Sequence, residues 1–217
     1  MGISLKPRYK SFAHTKVNLW NKGLKKLNRR KWAALKRNKG NDNSHTLLKI
    51  PLRKMFAYKL ESKQALKKYY GKIGEKQFKT LYSKSEFGSA RSNMSFPGLL
   101  ERRLDALVRQ MRFSLNIFEA RQNILHGHFE VDGRIVTIPS FIVKPGSIVR
   151  PSLKSPWWDN TEANNSLLRK RFRNVIVPRF IEFDYRTLSF IIVENPSMND
   201  IHYIRPLNLK TVREHYL

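Results

Sequence analysis

Cysteine is absent from this chain, which excludes disulfides and thiolate metal sites outright. No run of eighteen apolar residues occurs, so no helix is expected to cross a membrane. Also missing are a glycine-rich phosphate loop, a nucleophile elbow and a cluster of carboxylates, the features by which many catalytic sites are recognised. Catalysis, a cofactor and a small-molecule substrate are therefore not expected. Scarcest of all is negative charge: 16 Asp and Glu stand against 43 Lys and Arg, a net +27 over 217 residues. A field of that size selects polyanionic partners and opposes compaction in their absence. Nucleic acid is the expected counter-charge.

The excess is uneven. Residues 1–40 hold 13 basic and no acidic side chains, 41–100 hold 12 against 4, 101–150 hold 8 against 5, and 151–217 hold 10 against 7. The segment with Arg8 and Lys10, and with Lys25, Arg29 and Arg30 in the run from Lys25 to Lys39, has too few apolar residues to build a core alone. Such segments order when they bind, so a basic arm with a helix around Lys22 to Arg37 is expected to gain structure on RNA. The chain as a whole is 41% hydrophobic, enough for a core or two, and its length fits one or two domains.

A compact pattern follows from Arg102 onward. Leu104, Leu107, Val108 and Met111 recur at three- and four-residue spacing, which predicts a helix with one inward face and with Arg102, Arg103, Arg109 and Arg112 outside it. A second helix is predicted from Ile117 to His126. Asn116 and Glu119 have the spacing of a capping box, and Gly127 can supply a left-handed C-terminal cap. Phe129-Glu130-Val131 and Arg134-Ile135-Val136 flank Asp132-Gly133, a dipeptide that favours a type I′ turn, so a tight hairpin is predicted. Farther on, Arg179 to Tyr185 and Thr187 to Val193 read as two strands about Arg186.

This unit resembles the RNA-binding module of the small-subunit ribosomal protein S-four family. Leu100 to Asp105 is similar to that family's L-E-x-R-L-D, Glu119 to Gln122 to its E-A-R-Q, His126-Gly127-His128 to its H-G-H, and Ile138 to Gly146 to its I-P-S-Y-x-V-K-P-G. Unrelated RNA enzymes and synthetases share the module, but not what precedes it here. Lys63 to Gly71 resembles the ribosomal protein's K-Q-x-L-R-x-x-Y-G, and Glu75 to Phe78 its E-R-Q-F. Pro178 to Asp184 resembles a C-terminal P-x-W-L-E-x-D. Two departures stand out: one extra residue between Gly71 and Glu75, and Ile117 where the family commonly has Arg. Some members bind zinc through an N-terminal Cys cluster; this chain has no Cys to do so. Ser4 to Lys10 and Val17 to Lys22 look like mitochondrion-encoded members, for which no import signal is needed.

The resemblance implies an α+β protein organised as a basic rRNA-binding arm (1–45), a helical domain and linker (46–98), a helix-helix-hairpin RNA-binding module (99–150) and a C-terminal extension with strands (151–217). It implies a structural constituent of the small ribosomal subunit that binds small-subunit rRNA at a multi-helix junction early in assembly. Neighbouring small-subunit ribosomal proteins, and mRNA where it enters the subunit, are the other implied partners. The implied location is the mitochondrial matrix, within the mitoribosome, with a plastid or the bacterial cytoplasm as the alternative. Expected RNA contacts are Arg8, Lys10, Lys25, Arg29 and Arg30 in the arm, Lys63, Lys67 and Lys68 in the helical domain, and Arg102, Arg103, Arg109, Arg112, Asn116, Arg121, Gln122, His126, His128, Ser140 and Lys144 in the module. Cationic side chains fix position on phosphates, and Arg adds bidentate geometry.

Several competing readings are available for single residues. Asp105, in an R-L-D that echoes the catalytic aspartate of pseudouridine synthases, reads instead as a helix-surface residue paired with a neighbouring Arg. His126 and His128 diverge across a helix end and have no accompanying carboxylate cluster, so hydrogen bonding is expected and metal binding is not. Tyr69 and Tyr70 read as core packing, while base stacking and packing remain open for Trp20 and Trp32. Two whole-protein rivals are an RNA-modifying or tRNA-charging enzyme, for which no stretch is left over to supply a catalytic domain, and a free RNA-binding factor, which would be expected to lack residues 1–98.

Overall fold

The computed structural model describes residues 52–87, 95–153, 155, 172, 177–197, 200–201, 212 and 214–216. The expected arm and its helix, with Trp20 and Trp32, lie outside these residues. The described residues form two compact units that divide between Gly74 and Glu75.

In the first unit, helix α1 (Leu52–Tyr69) buries Ala65, Leu66, Tyr69 and Tyr70. Tyr69 and Tyr70 meet edge to face with ring centroids 5.0 Å apart, so packing is their role. The helix ends in a left-handed turn at Gly71 (φ 79°) and Lys72 (φ 59°). The extra residue expected between Gly71 and Glu75 falls in this stretch, where Lys72 is exposed and a Cβ on Gly74 would meet nothing within 4 Å. Residues 212 and 214–216 belong to the same unit, with Lys59 3.4 Å from Glu214 and the Phe56 and His215 ring centroids 5.7 Å apart.

In the second unit, α2 (Glu75–Phe87) and α3 (Phe96–Glu101) share aromatic contacts: Phe96 lies edge-on to Phe78 at 5.0 Å and to Tyr82 at 5.5 Å. The stretch of α3 reads as linker in the sequence. Its signal is Ser95, whose hydroxyl oxygen accepts the Gly98 N–H, with Pro97 in the first turn. Gly98 is required by close approach: a Cβ there would stand 2.8 Å from the Pro196 carbonyl oxygen.

Helices α4 (Leu104–Gln110) and α5 (Ile117–Leu125) follow, then β1 (Phe129–Val131), β2 (Arg134–Ile135), β3 (Ile148–Pro151), β4 (Ile181–Asp184) and β5 (Ser189–Ile192). The sheet order is β2-β1-β3-β5-β4, and every pair is antiparallel. The hairpin forms as predicted, with Asp132 (φ 50°) and Gly133 (φ 77°) both left-handed and Val131 paired with Arg134. Both late strands also form, on either side of a turn at 185–188. Strand β3 has no reading of its own in the sequence, yet it joins the hairpin to β5 and brings residues beyond 151 into the module's sheet. Inward residues of the sheet, Phe129, Val131, Val149, Phe190 and Ile192, pack with Leu104, Leu107, Val108 and Met111 in one core.

Asn116 and Glu119 do not form the expected capping box. Asn116 has the extended backbone of an N-cap but makes no side-chain cap bond, and Glu119 accepts the Leu115 N–H at 2.9 Å instead. The other end of α5 is a Schellman motif: His128 N–H reaches Asn123 O at 3.1 Å and Gly127 N–H reaches Ile124 O at 2.9 Å. Gly127 (φ 73°) has a double constraint, since a Cβ there would also stand 3.2 Å from Ile135 Cγ2. Gly127→Ala is expected to cost about 1–2 kcal/mol, the left-handed penalty of an L-residue, read as a lower denaturation midpoint. A midpoint equal to that of the parent would contradict this account.

Candidate nucleic-acid interface

Two motifs far apart in sequence meet at the start of α4. The first amides of a helix have no intrahelical partner, and the 138–143 segment supplies acceptors for them. Leu104 N–H donates to Phe141 O at 2.9 Å and Asp105 N–H to Pro139 O at 3.2 Å, while Val143 N–H donates to Arg102 O at 3.0 Å. Arg103 and Ile142 form an antiparallel bridge between the two stretches.

Beneath this junction lies a buried ionic cluster. Asp105 is fully buried; its Oδ1 accepts from Arg103 Nε at 3.0 Å, and its Oδ2 accepts from Arg103 Nη2 at 2.9 Å and Arg121 Nε at 2.8 Å. One carboxylate thus ties the α4 entrance to α5 and leaves a net single positive charge. This corrects the expectation that Asp105 lies on the helix surface and that Arg102 and Arg103 stand outside the apolar face. Arg102 and Arg103 are 5% and 3% exposed. Arg103 precedes the helix in extended backbone (φ −66°, ψ 137°), so helical periodicity does not set its direction, and the buried carboxylate draws it inward. Arg102 donates from Nε to Val143 O at 2.8 Å and from Nη1 to Asn195 Oδ1 at 2.9 Å. Burial holds its pKa below the ordinary arginine range.

Arg112 and Lys144 are exposed, Arg112 in a left-handed conformation (φ 60°) that projects it from the end of α4. Arg109, Gln122 and Ser140 are half-buried, and the Arg121 side chain is 18% exposed. Asn116 is buried. His126 is exposed and His128 half-buried across the Schellman turn, their ring centroids 6.0 Å apart, so the rings are neighbours and do not diverge. Among the described residues no three His, Asp or Glu gather in a way that could hold a metal ion.

In the first unit Lys63 is turned inward. Its ammonium lies 2.9 Å from His215 Nε2 and 5.4 Å from the Tyr216 ring centroid, an internal anchor in place of the expected phosphate contact. Lys67 and Lys68 are half-buried. Burial first, and then the charge of Lys72, hold the Lys68 ammonium below the ordinary lysine range, against the opposing effect of Glu61. Arg8, Lys10, Lys25, Arg29 and Arg30 lie outside the described residues. Among the described residues, the exposed cations outside the expected contacts include Lys72, Lys76, Lys79, Lys84, Arg134, Arg179 and Arg186. Lys76 and Lys79 could have been found from helical spacing, since they fall opposite buried Phe78, Leu81 and Tyr82 on α2. Arg150 is exposed, but it is paired with Glu130 at 3.0 Å.

Residues 102–149 match the family model of the S4 domain. Small ribosomal subunit protein uS4 of Gluconobacter oxydans is 32% identical over 218 residues, spanning 100% of this chain and 99% of that protein. The protein of the same name from Granulibacter bethesdensis is 34% identical over 204 residues, spanning 92% and 91%. That from Paracoccus denitrificans is 32% identical over 209 residues, spanning 96% and 95%.

Proposed function

This chain belongs to the family of small ribosomal subunit protein uS4, and from that premise we propose its place in the ribosome. It is a structural, non-enzymatic constituent of the small subunit that binds rRNA. Its finer role, in this reading, is to hold a multi-helix rRNA junction early in assembly, beside neighbouring small-subunit proteins, and to help line the path by which mRNA enters. The observation that carries the reading is the extent of the similarity: it runs through residues 1–101 and 150–217 as well as the module that RNA enzymes share. The mitochondrial location rests on the resemblance of residues 4–10 and 17–22, while the relatives named above are bacterial.

Co-sedimentation tests the role. A constituent stays with small subunits through a high-salt wash, and a free factor is released. Binding to the isolated rRNA junction should be electrostatic in magnitude. If about six phosphates are neutralised, the log-log salt slope is expected at roughly −4 to −5, and Arg112→Gln or Lys144→Gln should each reduce its size by about 0.7–0.9. A nearly flat slope in the parent would remove the electrostatic basis of the reading.

A further inference from the structure

Phe141 is 38% exposed although the backbone around it is locked. Its N–H donates to Ile138 O at 3.1 Å, its carbonyl accepts the Leu104 N–H at 2.9 Å, and the next residue bridges to Arg103. Val143 then turns fully into the core. These bonds fix where the Phe141 side chain leaves the backbone, and it stays partly exposed there. Exposed Ile138 opens the same turn and exposed Lys144 follows it, while the Arg103–Asp105–Arg121 cluster adjoins its backbone.

We propose that Phe141 is a base-stacking site that takes an unpaired nucleobase of rRNA on its ring face, with Lys144 on an adjacent phosphate. The inference rests on the rRNA-binding reading above and deepens it. Phosphate contacts position a protein on RNA without reading bases, and unpaired bases offer a π-face that an aromatic side chain can cover. Fixing in advance where the ring leaves the backbone lowers the ordering cost of that contact. The other exposed phenyl or phenol ring among the described residues of this unit, Tyr185, is edge-on to Phe183 at 4.6 Å and follows Asp184, a carboxylate that repels phosphate. It serves as the control.

The test uses the full chain and a transcript of the small-subunit rRNA junction named above. Phe141→Leu keeps an apolar side chain but removes the π-face. It is expected to weaken binding roughly 5- to 50-fold, with an unchanged salt slope and unchanged melting temperature. Phe141→Trp should retain affinity and show more quenching of indole emission on binding than the parent, whose Trp20, Trp32, Trp157 and Trp158 set the background, and Tyr185→Leu should bind as the parent does. Parental affinity in Phe141→Leu, or no quenching in Phe141→Trp beyond that of the parent, overturns the inference. An affinity loss that appears only with other ribosomal proteins present also overturns it, because the ring then docks protein. If Arg112→Gln and Lys144→Gln weaken binding while Phe141→Leu does not, stacking alone has failed. If none of these variants alters binding, the rRNA-binding reading of this face has failed.

Discussion

Asp105→Ala is expected to destabilise the unit of residues 75–202 by about 3–5 kcal/mol, because it leaves two guanidiniums buried at the α4 entrance without their counter-charge. Arg103 meets the carboxylate through two nitrogens and has no other route to water at 3% exposure. Arg121 loses the contact that fixes α5 against α4. Denaturant unfolding of the full chain measures the effect, and a change below about 1 kcal/mol, within reach of an ordinary surface substitution, would contradict it. A triple replacement, Arg103→Met with Asp105→Leu and Arg121→Met, removes all three charges together. It should recover most of the stability, since apolar groups of similar volume often replace a buried ion pair at little cost. The triple variant is nonetheless expected to bind rRNA more weakly, which separates the stability role of the cluster from its role at the interface.

Phe113→Ala should have an effect of similar size, about 3–5 kcal/mol, the usual cost of a large cavity in a packed core. The Phe113 ring is fully buried and lies edge-on to Phe129 at 5.5 Å, to Phe172 at 5.2 Å and to Phe183 at 6.0 Å. It therefore joins the loop after α4 to β1 and β4 at once. The midpoint of denaturation should fall without a change in its slope, and Phe113→Leu should cost less than about 1.5 kcal/mol, because it keeps most of the volume. A Phe113→Ala midpoint close to that of the leucine variant would mean that the site collapses around the vacancy and that the rings are not a fixed scaffold.

Local elements were legible in the sequence because each rests on a rule spanning a few residues. The apolar spacing of α4, the left-handed Gly127, the Asp132-Gly133 turn and the two late strands depend on near neighbours, and all appear where the pattern puts them. Two failures are those in which a side chain answers to a distant partner: Lys63 reaches His215, 152 residues on, and Arg102 bonds Val143 and Asn195, 41 and 93 residues on. The capping box fails locally, where Glu119 takes the Leu115 N–H in place of that of Asn116.

Charge and motif together determined that this is an rRNA-binding protein of the small subunit, because a net +27 and a run of family motifs need no tertiary arrangement to be read. Which cations stand exposed and which are buried was decided only by the fold. Arg103 and Arg112 look alike in the sequence, but one is drawn into a buried carboxylate and the other projects from a left-handed turn. The physical reason is that Asp105, two residues from Arg103, is buried only because α5 brings Arg121 to it from sixteen residues on and the 138–143 segment covers the start of α4; a charge is buried where such packing and hydrogen bonds allow it, and no local pattern carries that information.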